Sequence, residues 1–324
     1  MKKVLLILLG VLLLPAWAQA GDLLQALWPQ DFPPFSQADK RHGVPNNIAP
    51  PAVRTPQASL PPLPADFTGT VRRVLLPEGV KAVALTFDVC ELQCAVSGFD
   101  YDIIKVLREN HAHATFFGGG KWMRSHAERT LQLMAAEGFE LGNHAWSHAN
   151  FGIITMEKAR QQIFWTQSYY EELRAELARR AEAKGLGAEM ARIPKCLPYF
   201  RLPYGRSTPE MLRLFNQLGL KVIQWDVVAD HQTESNASMA AAESAAKAVR
   251  PGSIILLHAN LVPKQTAALV RNVIKLLGAQ GYRFVNVSEL LAMGEPELAD
   301  DGYFLTPGDN RDLDDSFGKD GTGE

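Results

Sequence analysis

From about residue 80 the chain alternates short apolar runs with segments whose apolar residues recur every three or four positions, the pattern of repeated strand and helix units. Seven runs read as strands: Ala82 to Phe87, Ala114 to Phe117, Phe139 to Leu141, Tyr199 to Leu202, Lys221 to Trp225, Ser253 to Leu257 and Tyr282 to Val285. Between them, Tyr101 to Asn110 and Ala127 to Glu137 read as amphipathic helices. Met156 to Lys184 is long, charged and alanine-rich, and reads as a surface helix that stops at Gly185. Strands and helices in this alternation imply an α/β fold built on a mainly parallel sheet.

Outside this region the pattern breaks down. Ten of the twenty prolines lie between residues 21 and 70, so residues 21 to 75 read as a Pro-rich extended leader, with Trp28, Phe32 and Phe35 available to pack on the adjoining domain. Residues 296 to 324 hold nine acidic side chains against two basic ones, punctuated by glycine, and read as an acidic flexible tail. Residues 76 to 295 are left as the one catalytic-sized domain, with enough apolar residues for a substantial core. The first residues, Met1-Lys2-Lys3, an apolar run from Val4 to Leu14 and small residues at Ala18 and Ala20, fit a secretory signal cut after Ala20. That apolar run is short for a bilayer span, so a periplasmic or secreted protein without stable membrane insertion is expected. The net charge of -2 and the lack of a long basic run exclude nucleic acid as a partner. The three cysteines, Cys90, Cys94 and Cys196, are too few for a disulfide scaffold, and one at least must be free, liganded or bonded to another chain.

Candidate chemistry starts with His144 and His148, four apart after an apolar run, a spacing that lets two imidazoles face one metal ion. Parallel strand-helix barrels carry their chemistry at the C-terminal strand ends. Polar groups recur at those ends here: Asp88 after the first predicted strand, His144 after the third, Arg201 in the fourth, Asp226 after the fifth and His258 after the sixth.

These residues carry a resemblance. Thr86-Phe87-Asp88-Val89-Cys90, His144 to His148, Arg201-Leu202-Pro203-Tyr204-Gly205, the Trp225 to Asp230 segment and Leu257-His258 occur in the order of the five short motifs of the polysaccharide deacetylase family with the NodB homology domain, carbohydrate esterase family 4, over about residues 80 to 292. The resemblance implies a deformed (β/α) barrel of seven to eight units and metal-assisted removal of acetyl groups from a glycan. Cleaving an amide needs a Lewis acid, a base for the attacking water and an acid for the departing amine. On that logic Asp88 is the base and Arg201 orients it and favours its charged form. His258 is the acid, with Asp226 adding negative charge beside it, or Asp230 in its place. Tyr204 offers a backbone N–H to the oxyanion and Trp225 lines the substrate site.

The first motif departs from the family, since its second aspartate, a metal ligand, is Val89 here. A divalent metal, zinc above all, would then be held by His144, His148 and a replacement ligand, or the chemistry would be metal-independent, or only glycan binding would survive. Strand alternation puts Cys90 on the face of Asp88, so its thiolate is one replacement. A disulfide from Cys90 to Cys94 or Cys196, and Glu91 as an oxygen ligand, are the others. The expected activity is release of acetyl groups, N-acetyl first, from an acetylated polysaccharide. The alternatives are hydrolysis of another C–N bond on a small molecule and a catalytically degenerate glycan-binding protein.

Overall fold

The computed structural model describes residues 22–30, 36, 39–40, 49–92, 96–230 and 236–323. Its centre is β2 (Ala82–Val89), whose eight residues are all buried. Parallel to it run β3 (Ala114–Gly118) and then β4 (Phe139–Asn143) on one side, and β8 (Ile254–His258) on the other. Beyond β4 the sheet continues through β5 (Tyr199–Phe200) and β6 (Lys221–Ile223) to β1 (Thr70–Leu75), and beyond β8 to β7 (Val227–Val228). β9 (Arg283–Val285) pairs with the start of β2, and β10 (Glu295–Ala299) lies antiparallel against β1. The sheet thus curls into a half-barrel with helices outside it, as the strand and helix alternation predicts.

The odd and even positions of β2 divide the core in two. Val83, Leu85, Phe87 and Val89 belong to the apolar layer between sheet and helices, together with Ile103, Ile104, Val106 and Leu107 from α2 (Tyr101–Glu109) and Val270, Val273 and Leu277 from α8 (Thr266–Ala279). Ala82 and Ala84 join the layer inside the curve, with Ile223, Trp225 and Leu256. Thr86 and Asp88 continue this inner row, so it turns polar as it reaches the rim. Phe87 stacks on Phe116 with ring centroids 5.2 Å apart, and burying a side chain of that size contributes about 2–3 kcal/mol.

The helices begin where their sequence provides caps. Asp100 accepts from the Asp102 N–H at the start of α2, and Thr155 from the Lys158 N–H at the start of α5 (Met156–Ala183). The long helix closes at Gly185, whose φ is +72°, as its sequence predicts.

Both flanks differ from their expected state. The Pro-rich stretch ends in β1, a strand of the sheet, and starts with α1 (Leu23–Leu27), whose Leu23 and Leu24 are in the main core. Trp28 donates from its indole to Glu128 at 2.8 Å, while Phe32 and Phe35 lie outside the described residues. The acidic C-terminal stretch is docked and not a free tail. β10 supplies main-chain partners to the edge of β1, Arg72 donates to the carbonyls of Tyr303 and Phe304, and Arg206 grips Asp314. Glu297 and Asp314 therefore meet arginines of the domain and Asp320 its Lys158, which the composition of the stretch alone does not reveal.

Candidate active site

The parallel register aligns the C-terminal ends of β2, β3, β4 and β8, with Asp88 directly beside His258 and Gly118 beside Asn143. Arg201 follows β5 on the same rim, its N–H bonded to the Asn143 carbonyl at 2.9 Å. The Arg201 side chain is fully buried. Its guanidinium donates to Asp88 Oδ1 at 3.0 Å, Thr86 Oγ1 at 2.8 Å, the Ile223 carbonyl at 3.1 Å and the Gln224 carbonyl at 3.2 Å, and lies 4.1 Å from the Phe117 ring centroid. Burial works against its charge and Asp88 works for it, so the pair is held in one fixed geometry.

His144 Nδ1 lies 2.9 Å from the Arg201 carbonyl, which only accepts, so Nδ1 carries the proton. Nε2 is then a bare lone pair. It is buried, has no hydrogen-bond partner, and lies 3.5 Å from Asp88 Oδ2. Burial lowers the His144 pKa, with Asp88 opposing, and the neutral ring leaves two acceptors facing each other across that gap. His148 reaches the same place from a loop in which both Ala145 and His148 adopt positive φ. Its ring meets His144 at 4.9 Å, its Nδ1 is buried without a partner, and burial, then the nearby His144, hold its pKa well below the ordinary value. Cys90 completes a set of three, for ligand atoms of Cys90, His144 and His148 lie within 4.8 Å of one another. Burial, then the charges of Asp88 and Glu91, push the Cys90 thiol up, and Asn260 Nδ2 approaches its sulfur at 3.7 Å. Two orphaned imidazole nitrogens beside a sulfur suit a soft or borderline divalent ion, zinc in particular, whose bonds to N and S run at about 2.0–2.3 Å.

The competing ligand proposals fare differently. Cys90 and Cys196 are free thiols, so the disulfide between them is not formed, and Cys94 lies outside the described residues. Glu91 is turned away from the cluster. It accepts from Ser125 Oγ at 3.0 Å, lies 3.9 Å from His126, and burial raises its pKa to about 7. Val89 belongs to the apolar core on the helix side of β2.

Opposite the cluster, His258 receives two contacts from Asp230. Its backbone N–H donates to Oδ2 at 2.7 Å and its Nδ1 lies 3.1 Å from Oδ1. Burial alone would lower the His258 pKa, but the charge and hydrogen bond of Asp230, with Asp88 beyond, outweigh it and raise the value.

Two expected site residues sit elsewhere. Asp226 is at the opposite end of β8, capping Ile254 N–H at 3.0 Å and bonded to Ser253 and Arg250, so it does not reach His258. The intervening β7 carries the chain along the sheet, and the acid that arrives at the rim is Asp230. Trp225 is only 2% exposed, beneath Phe304 at 5.3 Å and beside Arg201 at 5.4 Å, so it is a wall of the interior and presents no face to a substrate. Tyr204, at φ +59°, does stand at the rim, its ring 4.5 Å from His148.

Comparison with known proteins agrees with this architecture. Residues 76–223 match the family model described as polysaccharide deacetylase. The peptidoglycan-N-acetylmuramic acid deacetylase PdaC of Bacillus subtilis is 29% identical over 210 residues, 65% of this chain and 38% of that enzyme. Its solved structure aligns at 26% identity and TM-score 0.51, covering 67% of this chain and 93% of that one. A chitooligosaccharide deacetylase of Azorhizobium caulinodans is 28% identical over 192 residues, 56% of this chain and 82% of the relative. A carbohydrate esterase family 4 pseudoenzyme of Bacillus anthracis shares the fold at 22% identity and TM-score 0.51, over 68% and 69% of the two chains. The chain spans well under half of PdaC, and so represents only part of that relative's organisation. The half-barrel thus resembles the fold of solved carbohydrate esterase family 4 proteins. Over residues 76–223 the chain is similar to the polysaccharide deacetylase family.

Proposed function

We propose that the protein is an exported, metal-assisted deacetylase of an N-acetylated polysaccharide, with Cys90, His144 and His148 as the ligands of a divalent ion, zinc foremost. The observation that carries this reading is the meeting on one rim of three ligand side chains, a carboxylate gripped by a buried arginine, and a histidine backed by a second carboxylate. The ion, when bound, supplies the Lewis acidity that polarises the acetyl carbonyl and activates water. Cys90 would hold the ion as a thiolate, without the proton that burial otherwise retains. Asp88 Oδ2, the oxygen not occupied by Arg201, takes the proton of the attacking water. His258, held protonated by Asp230, delivers a proton to the departing amine. The Tyr204 backbone N–H donates to the developing oxyanion.

The substrate class follows from relatives that are named for deacetylating peptidoglycan and chitooligosaccharides, and from the N-terminal pattern of an exported protein. A second reading, glycan binding without turnover, is favoured by one observation, the valine where the family carries a ligand. Zinc analysis and acetate release from chitin oligomers and peptidoglycan separate the two. The proposal expects stoichiometric zinc, acetate release, and loss of both after Cys90→Ser. Zinc occupancy unchanged in that variant would remove the thiolate from the ligand set, and zinc-loaded protein that releases no acetate would favour the binding reading.

A further inference from the structure

The C-terminal segment is bonded to the loop that carries His148 and to the loop that carries Tyr204. The Asn150 N–H donates to the Asp320 carbonyl at 2.8 Å, and Asn150 Nδ2 to Asp314 Oδ1 at 2.9 Å, two residues beyond His148. Arg206 donates to both Asp314 oxygens at 2.8 and 2.6 Å, and the Tyr204 hydroxyl donates to the Gly321 carbonyl at 2.5 Å. These bonds fix the position of Phe317. Its ring stacks on Tyr204 with centroids 5.6 Å apart and planes 16° from parallel, and Tyr204 in turn meets His148 at 4.5 Å.

Phe317 is nonetheless 48% exposed, and its backbone lies at φ +58°, a region that bulky residues avoid. Strain of this kind persists where the surroundings over-determine it, and it clusters at ligand sites. A flat apolar ring, backed on one face by a second ring and nearly half exposed, matches the face of a pyranose, where axial C–H groups leave an apolar surface. We propose that Phe317 is a sugar-binding platform beside the Cys90, His144 and His148 cluster, receiving a glycan unit next to the one that is deacetylated. The proposal rests on the glycan reading above. It places a specificity-determining residue in the C-terminal segment, outside residues 76–223.

The test compares wild type, Phe317→Leu and Phe317→Trp on chitin oligomers from two to about six sugars, reading kcat and KM by acetate release. Binding of the longest oligomer is titrated in parallel in an Asp88→Asn background, and folding is checked by thermal melting. Leucine keeps an apolar contact with Tyr204 but not an aromatic face. Phe317→Leu is expected to lose about tenfold in kcat/KM on long oligomers, mostly through KM, to lose less on the shortest, and to bind the longest about tenfold more weakly. Phe317→Trp is expected to restore both. Equal losses at every length, unaltered affinity in Phe317→Leu, or a tryptophan variant that behaves like leucine would overturn the platform. Wild type that turns over oligomers while Phe317→Leu matches it would leave the deacetylase reading standing and remove the platform alone. Wild type that neither binds nor cleaves any oligomer would remove both.

Discussion

Replacing Asp230 with asparagine should move the alkaline limb of the pH–rate profile to lower pH. The side chain of Asp230 is fully buried and touches His258 twice, at the main chain and at Nδ1. Asparagine keeps an oxygen for the His258 N–H, so the loop stays in place, but removes the negative charge 3.1 Å from the ring. A hydrogen bond to a charged partner is worth about 1.5–3 kcal/mol net, which corresponds to roughly 10- to 100-fold in the balance between imidazolium and imidazole. The sign follows from the raised pKa of His258: the protonated acid is fully present at low pH and is lost as pH rises through its value in the folded enzyme. Without Asp230's charge that loss comes earlier. Acetate release measured from about pH 5.5 to about pH 9 should therefore show kcat falling 10- to 100-fold on the alkaline side, with little change at the acidic end. Asp226→Asn serves as the control, because Asp226 contacts Arg250, Ser253 and the Ile254 N–H. An unmoved alkaline limb in Asp230→Asn, or an equal movement in Asp226→Asn, would refute the assignment of His258 as the proton donor.

Two other changes test different links. Asp88→Asn should lower acetate release by about 10²- to 10⁴-fold while zinc content and melting temperature stay close to wild type, and a variant with more than about a tenth of the activity would show that Asp88 is not the base. Asp100, at the start of α2, has its pKa raised to about 6 by burial and by Asp102, so its ionisation opposes folding as pH climbs from about 4 to about 6. Asp100→Asn should gain stability relative to wild type across that interval, by at most about 3 kcal/mol, and chemical denaturation giving a pH-independent difference would contradict it.

The central strands were legible because they are continuous apolar runs, buried on both faces, and their helices carry caps and apolar stripes in sequence. The strands on the β1 and β10 margin were not. β1 carries Arg72 and Arg73 in a short run after a proline-rich stretch, and β10 contains Pro296 between two glutamates, so neither has a pattern that announces a strand. β10 exists because it pairs with β1, and β1 because it lies between β10 and β6, and such pairing is a tertiary fact. Asp226 misled for a related reason: two residues of β7 intervene before the chain reaches the rim, and nothing local distinguishes an acid at the start of that path from Asp230 at its end. Phe317 had no sequence signal at all, since its place beside Tyr204 depends on Asp314 and Asp320 meeting Arg206 and Asn150.

The pairing of β1 with β10 also sets the order in which the molecule can be completed. Arg73 and Glu297, joined across it at 2.7 Å, are 224 positions apart. A ribosome emitting this chain releases β1 more than 200 residues before β10, so until β10 emerges one margin of the sheet presents unpaired main-chain groups to any passing strand. The closure that protects it comes with a large loop entropy and belongs among the slow, non-local steps of folding. The stretch after β10 then anchors Asn150 and Tyr204, so the rim around His148 is finished only once the chain has been made through Gly321.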